Sequence, residues 1–246
     1  MKITACCPTF NRPLHLGRII KCFTKQTIHN AELVLLDDLG QYDSFSEPIC
    51  NGNWIHLISI NKRFRSLGEK RNAIVGLASS DAIAVWDDDD FYYPWALEAL
   101  SCALDSGEVA MPRVAIDFDN RGDRIATETF RGNPSSCNSY AFHGCWGYTR
   151  QVFERAGRYP SENVKDDSAL KAKFASMKIP PANITTEPFY VYNRPFEGIR
   201  LSQTPKDEAT RDRMGEGATW VGLVPEWTDE SDWDTEIPTG VQKRAW

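Results

Sequence analysis

The chain has 246 residues, 41% hydrophobic and 25% charged, which excludes wholesale disorder and permits a buried core without disulfide support. Lys and Arg number 28 against 34 Asp and Glu; the net charge of −6 argues against a generic grip on duplex phosphates, although a local basic groove is compatible with it. The seven cysteines (Cys6, Cys7, Cys22, Cys50, Cys102, Cys137, Cys145) form no C-x-x-C and fit a reducing compartment better than a disulfide or zinc scaffold.

Residues 3–7 read as a short apolar strand stopped by Pro8. Pro13 marks a helix N-terminus, and Leu14, Leu16, Ile19, Ile20 and Phe23 recur at helical spacing. Residues 33–36 form a continuous apolar run ending in Asp37 and Asp38, as suits a strand buried on both faces. Residues 54–60 read as a third strand, 67–77 as a helix, and 82–86 as another buried strand that again ends in acids. This alternation predicts an α/β fold with a mainly parallel sheet and right-handed crossovers.

Farther on, strands are expected over 109–116 and 124–130, around a turn at 119–122, with a loop at 132–136. Helical spacing covers 152–156 and 166–177, Pro180-Pro181 stops the second, and 189–192 is a late strand. After Gly198 the pattern fades into a tail holding Trp220, Trp227, Trp233 and Trp246 among acids, either draped on the domain or facing a partner. No apolar run approaches the roughly 18 residues of a membrane span, and Pro8 cuts the first run too early for a signal-peptide core. The expectation is a cytoplasmic protein without a transmembrane segment.

The sharpest feature is Trp86-Asp87-Asp88-Asp89-Asp90-Phe91, directly after a buried strand. Ligands of open α/β sheets bind beyond the carboxyl ends of the strands. Four adjacent carboxylates repel one another unless a cation or donors neutralise them, and oxygen-only ligands suit Mg²⁺ or Mn²⁺. The alternative is a solvated acidic turn; the place at a strand end before Phe91-Tyr92-Tyr93-Pro94 favours the metal. Asp37-Asp38 occupies the matching place on an earlier strand, though alone it reads as an N-cap or Asx-turn. Gly68-Glu69-Lys70-Arg71-Asn72 puts basic side chains and free N–H groups at a helix start, suited to a phosphate or to a solvated face. Asp166-Asp167 opens a later helix, where acids complement the dipole and one could act as general base.

In this order the motifs resemble glycosyltransferase family 2 on the GT-A fold, over about residues 2–195. The opening Cys7-Pro8-Thr9-Phe10-Asn11-Arg12 resembles that family's first strand and nucleotide loop. Leu36-Asp37-Asp38 resembles its second-strand acidic pair, and Gly68 to Asn72 the segment after the third strand. Asp87 to Pro94 resembles its D-x-D-D-aromatic stretch, and Arg150, Phe153 and Gly157 its R-x-x-F-x-x-x-G segment. Asp166-Asp167 stands where Glu-Asp is usual, so the first acid is shorter than expected. Some metal-dependent members add a late His ligand; Tyr192-Asn193-Arg194-Pro195 offers none.

The resemblance implies an α/β, GT-A-like fold with a mixed, mainly parallel, Rossmann-like sheet flanked by helices. A domain over 1–197 would divide into a nucleotide-binding half (1–95) and an acceptor-side half (96–197), with 198–246 an extension. It implies inverting transfer of a sugar from a nucleoside-diphosphate sugar, a UDP-sugar first, to a hydroxyl. Nucleotide contacts would fall on Pro8, Thr9, Asn11, Arg12, Asp38, Lys70, Arg71, Asp87 and Asp88. Mn²⁺ or Mg²⁺ would sit on Asp87 and Asp89, the latter the more direct ligand, and Asp167 would be the base. His143, Trp146 and Asp166 are expected on the acceptor side, with ordinary packing the alternative for the aromatics. The acceptor would be a glycan, a lipid-linked sugar or another hydroxyl; a modified nucleic-acid base stays open and a duplex is disfavoured. The competing readings are a nucleotidyltransferase-like enzyme that releases pyrophosphate, and a degenerate module that binds nucleotide sugars without turnover.

Overall fold

The computed structural model describes residues 1–118, 124–128, 142–182, 184 and 188–193. The expected turn at 119–122, the loop at 132–136, Cys137 and the extension at 198–246 lie outside the described residues. Strand β1 (Ile3–Thr9) leads to helix α1 (Pro13–Thr24), opened by Pro13, whose missing N–H costs nothing at a first turn. Leu16, Ile19, Ile20 and Phe23 bury one face of α1, but Leu14, expected there, is 75% exposed. Strand β2 (Glu32–Asp37) is buried at every position. Strand β3 (Phe45–Pro48), an edge strand with a mostly exposed pattern, pairs antiparallel with β4 (Trp54–Ser59). Helix α2 (Leu67–Leu77) begins at Ser66, whose hydroxyl accepts the Glu69 N–H.

Then come β5 (Ala82–Val85), β6 (Phe91–Tyr92), α3 (Ala96–Leu104), β7 (Val109–Ala110), β8 (Val114–Phe118), β9 (Arg124–Glu128), β10 (Gly147–Thr149), α4 (Arg150–Arg155), α5 (Asp166–Ser176) and β11 (Tyr190–Asn193). The main sheet has seven strands in the order β3-β4-β2-β1-β5-β10-β7, with β4, β2, β1 and β5 parallel. This is the mixed, mainly parallel sheet flanked by helices that the family resemblance implies, and its parallel strands are those that the alternation predicts. The expected single strand over 109–116 is two strands in different sheets, because Pro112, which has no N–H for a ladder, falls between them. The second sheet has the order β6-β11-β8-β9.

The core lies between the main sheet and the helices, where Ile3, Ile19, Phe23, Leu33, Leu35, Ile83 and Leu97 are all wholly buried. Each such side chain contributes roughly 1.5–3 kcal/mol relative to exposure. The R-x-x-F-x-x-x-G segment is explained by this packing. Arg150 donates to the carbonyls of Val75 (2.9 Å), Ala78 (2.7 Å) and Ser80 (3.0 Å), closing the C-terminal end of α2. Phe153 stacks on Tyr148 at 5.2 Å, and Gly157 takes φ +76°, a left-handed conformation costly for other residues. The described cysteines are free thiols. No helix among the described residues is long and apolar enough to cross a membrane.

Candidate active site

The parallel register decides which side chains meet. Thr9 lies opposite Asp37, and Cys6 opposite Val85, so Thr9, Asp38 and the acidic turn 86–90 emerge at one edge of the sheet. Trp86 is wholly buried, stacked on Tyr92 at 4.1 Å, and its backbone N–H donates to the Cys6 carbonyl. Tyr92 Oη accepts the Asp87 N–H (2.8 Å) and donates to the Gly144 carbonyl (2.8 Å). The turn is therefore held by aromatic packing and hydrogen bonds before any ligand arrives.

Its four carboxylates have four different surroundings. Asp88 is buried; it accepts from Thr9 Oγ1 (2.7 Å) and Arg12 Nη1 (2.7 Å). Asp90 is buried too and accepts from Tyr190 Oη (2.5 Å) and the Asn193 N–H (3.0 Å), which ties β11 to the turn. Asp87 and Asp89 keep side chains 24% and 30% exposed. Asp87 faces Arg71 at 3.5 Å, and Asp89 faces Arg12 at 3.0 Å. Burial, with the like charges of Asp89 and Asp88, raises the Asp87 carboxyl to about 6 despite Arg71. Burial also raises Asp88, against Arg12, and lifts Asp90 well above the carboxylate range.

Asp38 is almost fully buried and is met by Lys70 Nζ (2.5 Å), Arg63 Nη1 (3.0 Å) and the Phe64 N–H (3.2 Å). Lys70, expected on a phosphate, is turned inward; its Nζ also donates to the Thr9 carbonyl, and burial lowers its pKa against the pull of Asp38. Asp37 organises the turn after β2 by accepting the N–H groups of Leu39, Gly40 and Gln41, which is the Asx-turn reading of that residue. Pro8 lies within β1 opposite Leu36, and Asn11 is exposed with φ 52°.

Arg71 joins the two halves of the site. Its Nη1 donates to Asp166 (2.6 Å) and its Nη2 meets Asp87 (3.5 Å). Burial works against this guanidinium, but Asp87 and Asp166 outweigh it and raise its pKa. Asp166, expected to face an acceptor, is thus a buried partner of Arg71, whereas Asp167 is partly exposed and accepts its neighbour Ser168's N–H (2.6 Å). His143 and Trp146, read as acceptor-facing, are 8% and 1% exposed and packed edge to face at 4.8 Å. They are core, as the packing alternative has it. Sequence reasoning missed Arg63, stacked 3.7 Å over the Phe10 ring beside Asp38. It also missed Tyr92, Tyr190 and Asn193 as supports of the turn; the aromatic cluster after the acids was the signal for Tyr92, whereas Tyr190 and Asn193 reach the turn only through the pairing of β11 with β6.

His143 Nε2 shares a hydrogen bond with Tyr159 Oη (2.9 Å), and burial, then Arg71, depresses its pKa well below 6.5. The unfolded chain takes up a proton below about 6.5 that the folded chain does not, so the stability from this group is lost as pH falls. That loss is larger at pH 5.5 than at pH 7.5. Urea unfolding at both values should show the stability difference between His143→Asn and the wild type moving in the variant's favour from pH 7.5 to pH 5.5; an unchanged difference would remove His143 as the cause.

The donor set can be matched to a cation. Among the described residues no three His, Cys, Asp or Glu side chains gather into a cage. Asp87 and Asp89, the exposed pair of the turn, supply two hard oxygen donors and leave other positions to phosphate oxygens and water. That division is characteristic of Mg²⁺ or Mn²⁺ bound with a phosphorylated substrate, so the residues present fit the group.

A family model described as Glycosyl transferase family 2 matches residues 4–157, more than half of the chain. The chain belongs to that family. The curated protein YwdF of Bacillus subtilis (strain 168), an uncharacterized glycosyltransferase, is 28% identical over 108 residues, 44% of this chain and 40% of YwdF. Among solved structures, S. aureus TarS (residues 1–349) in complex with UDP-GlcNAc is similar with a TM-score of 0.64 and 17% identity, over 82% of this chain and 60% of TarS. The mannosyltransferase PcManGT from Pyrobaculum calidifontis, in complex with GDP-Man and Mn²⁺, is similar with a TM-score of 0.52 and 18% identity, over 80% of this chain and 58% of that one. The chain thus spans between 40% and 60% of the length of these relatives. At such identities the likeness shows the fold, which is the GT-A-like one that the family resemblance implies.

Proposed function

We propose that this chain transfers a sugar, with inversion, from a nucleoside-diphosphate sugar to an acceptor hydroxyl. The observation that supports the reading is the Arg71 bridge, which fixes the acidic turn against the start of α5, the helix that carries Asp167. Asp87 and Asp89 would hold Mn²⁺ or Mg²⁺, which supplies charge stabilisation for the departing diphosphate. Asp38 and Thr9 lie at the strand ends where the nucleoside is expected, and Phe10 with Arg63 offers a flat surface beside them. Asp167 takes the acceptor's proton as its oxygen attacks the anomeric carbon from the face opposite the leaving group.

The donors in the similar structures, UDP-GlcNAc and GDP-Man, support a nucleotide-sugar donor. We take a UDP-sugar as the first to test, a glycan or lipid-linked hydroxyl as the acceptor class, and the cytoplasm as the setting. Thermal shift with Mn²⁺ and a panel of nucleoside diphosphates tests the reading. A ligand at a hundredfold excess over Kd adds about 2.7 kcal/mol, which is a Tm rise of roughly 5–10 °C for a chain of this size. We expect that rise with UDP and Mn²⁺ together, and its loss in Asp89→Ala. No response to any nucleotide would leave a module without a donor, and pyrophosphate as the released product would make the enzyme a nucleotidyltransferase.

A further inference from the structure

Each carboxylate of the acidic turn is compensated by the protein itself, but not equally firmly. Asp88 and Asp90 are buried, with donors on both of their oxygens. Asp89 is the most open of the four, and its side chain is met by Arg12 Nη1 at 3.0 Å. The same nitrogen stands 2.7 Å from Asp88. One guanidinium nitrogen thus neutralises Asp89, one of the two carboxylates that would hold the metal, while it stays bonded to Asp88. Burial disfavours the charge on Arg12, and Asp88 with Asp89 more than restores it.

The surroundings let this contact open without dismantling the turn. Arg18 Nη2 holds the Asp88 carbonyl at 3.1 Å, and its guanidinium lies 4.6 Å over the Phe91 ring. Asn193 Nδ2 holds the Asp89 carbonyl at 3.0 Å. The turn's backbone is thus fixed by groups other than Arg12. His15 adds no charge near neutrality, because burial, then Arg18 and Arg12, lower it to about 4.

We propose that Arg12 is a tethered counter-ion which holds Asp89 in the donor-free protein and which a divalent cation must displace from that carboxylate. Still anchored on Asp88, the guanidinium then offers its free edge to the diphosphate. Metal alone meets a competitor, whereas metal with diphosphate gives Arg12 a new anionic partner. Metal and nucleotide therefore strengthen each other's binding reciprocally. The proposal rests on the donor reading above, but its first half depends on metal alone.

The test is calorimetric titration of Mn²⁺, with and without UDP, into the wild type and Arg12→Gln. Removing a positive charge next to two carboxylates should tighten binding of Mn²⁺ alone by about tenfold or more. The enhancement of Mn²⁺ affinity by UDP should shrink in the same variant. Equal or weaker Mn²⁺ affinity in Arg12→Gln, or no Mn²⁺ binding by either protein, overturns the counter-ion. Circular dichroism checks the fold. If Arg12→Gln does not fold, Arg12→Lys, which keeps a point charge but loses the fork, should show a smaller tightening, and none would overturn the proposal. If UDP binds no form while Arg12→Gln still binds Mn²⁺ more tightly, the donor reading fails and the counter-ion stands.

Discussion

Asp167→Asn is expected to slow sugar transfer by about 10²–10⁴-fold, the usual worth of a positioned general base, while UDP binding and Tm stay as in the wild type. The two adjacent acids divide their work because successive residues of a helix point about 100° apart. Asp166 turns inward to the buried Arg71 at 2.6 Å, and Asp167 stays at the partly exposed surface with a bond to its own helix's Ser168 N–H. Removing the Asp166 carboxylate is therefore a different experiment. It leaves Arg71, with a side chain only 11% exposed, one longer contact to Asp87, and breaking such a buried pair costs about 3–5 kcal/mol. Single-turnover rates, UDP calorimetry and Tm on both variants separate the roles. Loss of UDP binding in Asp167→Asn would sink the base assignment. A slow Asp166→Asn of normal Tm beside an active Asp167→Asn would exchange the two acids.

The parts of the fold visible in the sequence are those with one dominant local signal. Strands β2 and β5 are covered on both faces, so they stand out as unbroken apolar runs. Helix α3 does not, because seven of its nine residues are buried and only Glu98 and Cys102 face out, a strip too narrow to set a polar period in the sequence. Strands of two or three residues, β6, β7 and β10, are defined by their partners across the sheets and have no pattern of their own. The same limit applies at the site. The clustering of Asp38 with the acidic turn follows from parallel strands ending at one edge, which alternation foretells. Which acid faces out, and whether Trp146 lies in the core or at the surface, depend on packing that adjacent letters do not encode. Lys70 shows the same point: a Lys-Arg pair at a helix start suggests phosphate, yet burial turned Lys70 onto Asp38 and left Arg71 to link the halves.

Gly68→Ala is expected to destabilise the protein by about 3 kcal/mol or more, at or above the upper end for overpacked sites. A Cβ at this position would stand 1.9 Å from the Pro160 carbonyl oxygen and 3.1 Å from its carbon, so the obstacle is backbone and no side chain can swing aside. The close approach has a purpose in the fold. The Gly68 N–H donates to the Glu162 carbonyl (3.0 Å), and Leu67 N–H to Asn163 Oδ1 (3.0 Å). Asn72 exchanges two hydrogen bonds with the Tyr159 backbone, at 2.9 and 3.0 Å. The first turns of α2 are thereby joined to residues 159–163, the segment that delivers Asp166 and Asp167. Adding one methyl group should therefore lower Tm by roughly 6–12 °C and slow transfer as well, since Asp167, the proposed base, loses its seat. Gly76, on the same helix, is the control, because a Cβ there meets nothing within 4 Å. Gly76→Ala should hold or raise Tm, as alanine in a helix gains about 0.5–1 kcal/mol over glycine. If Gly68→Ala melts with the wild type and turns over normally, the contact between α2 and the 159–163 segment is not what holds Asp167 in place.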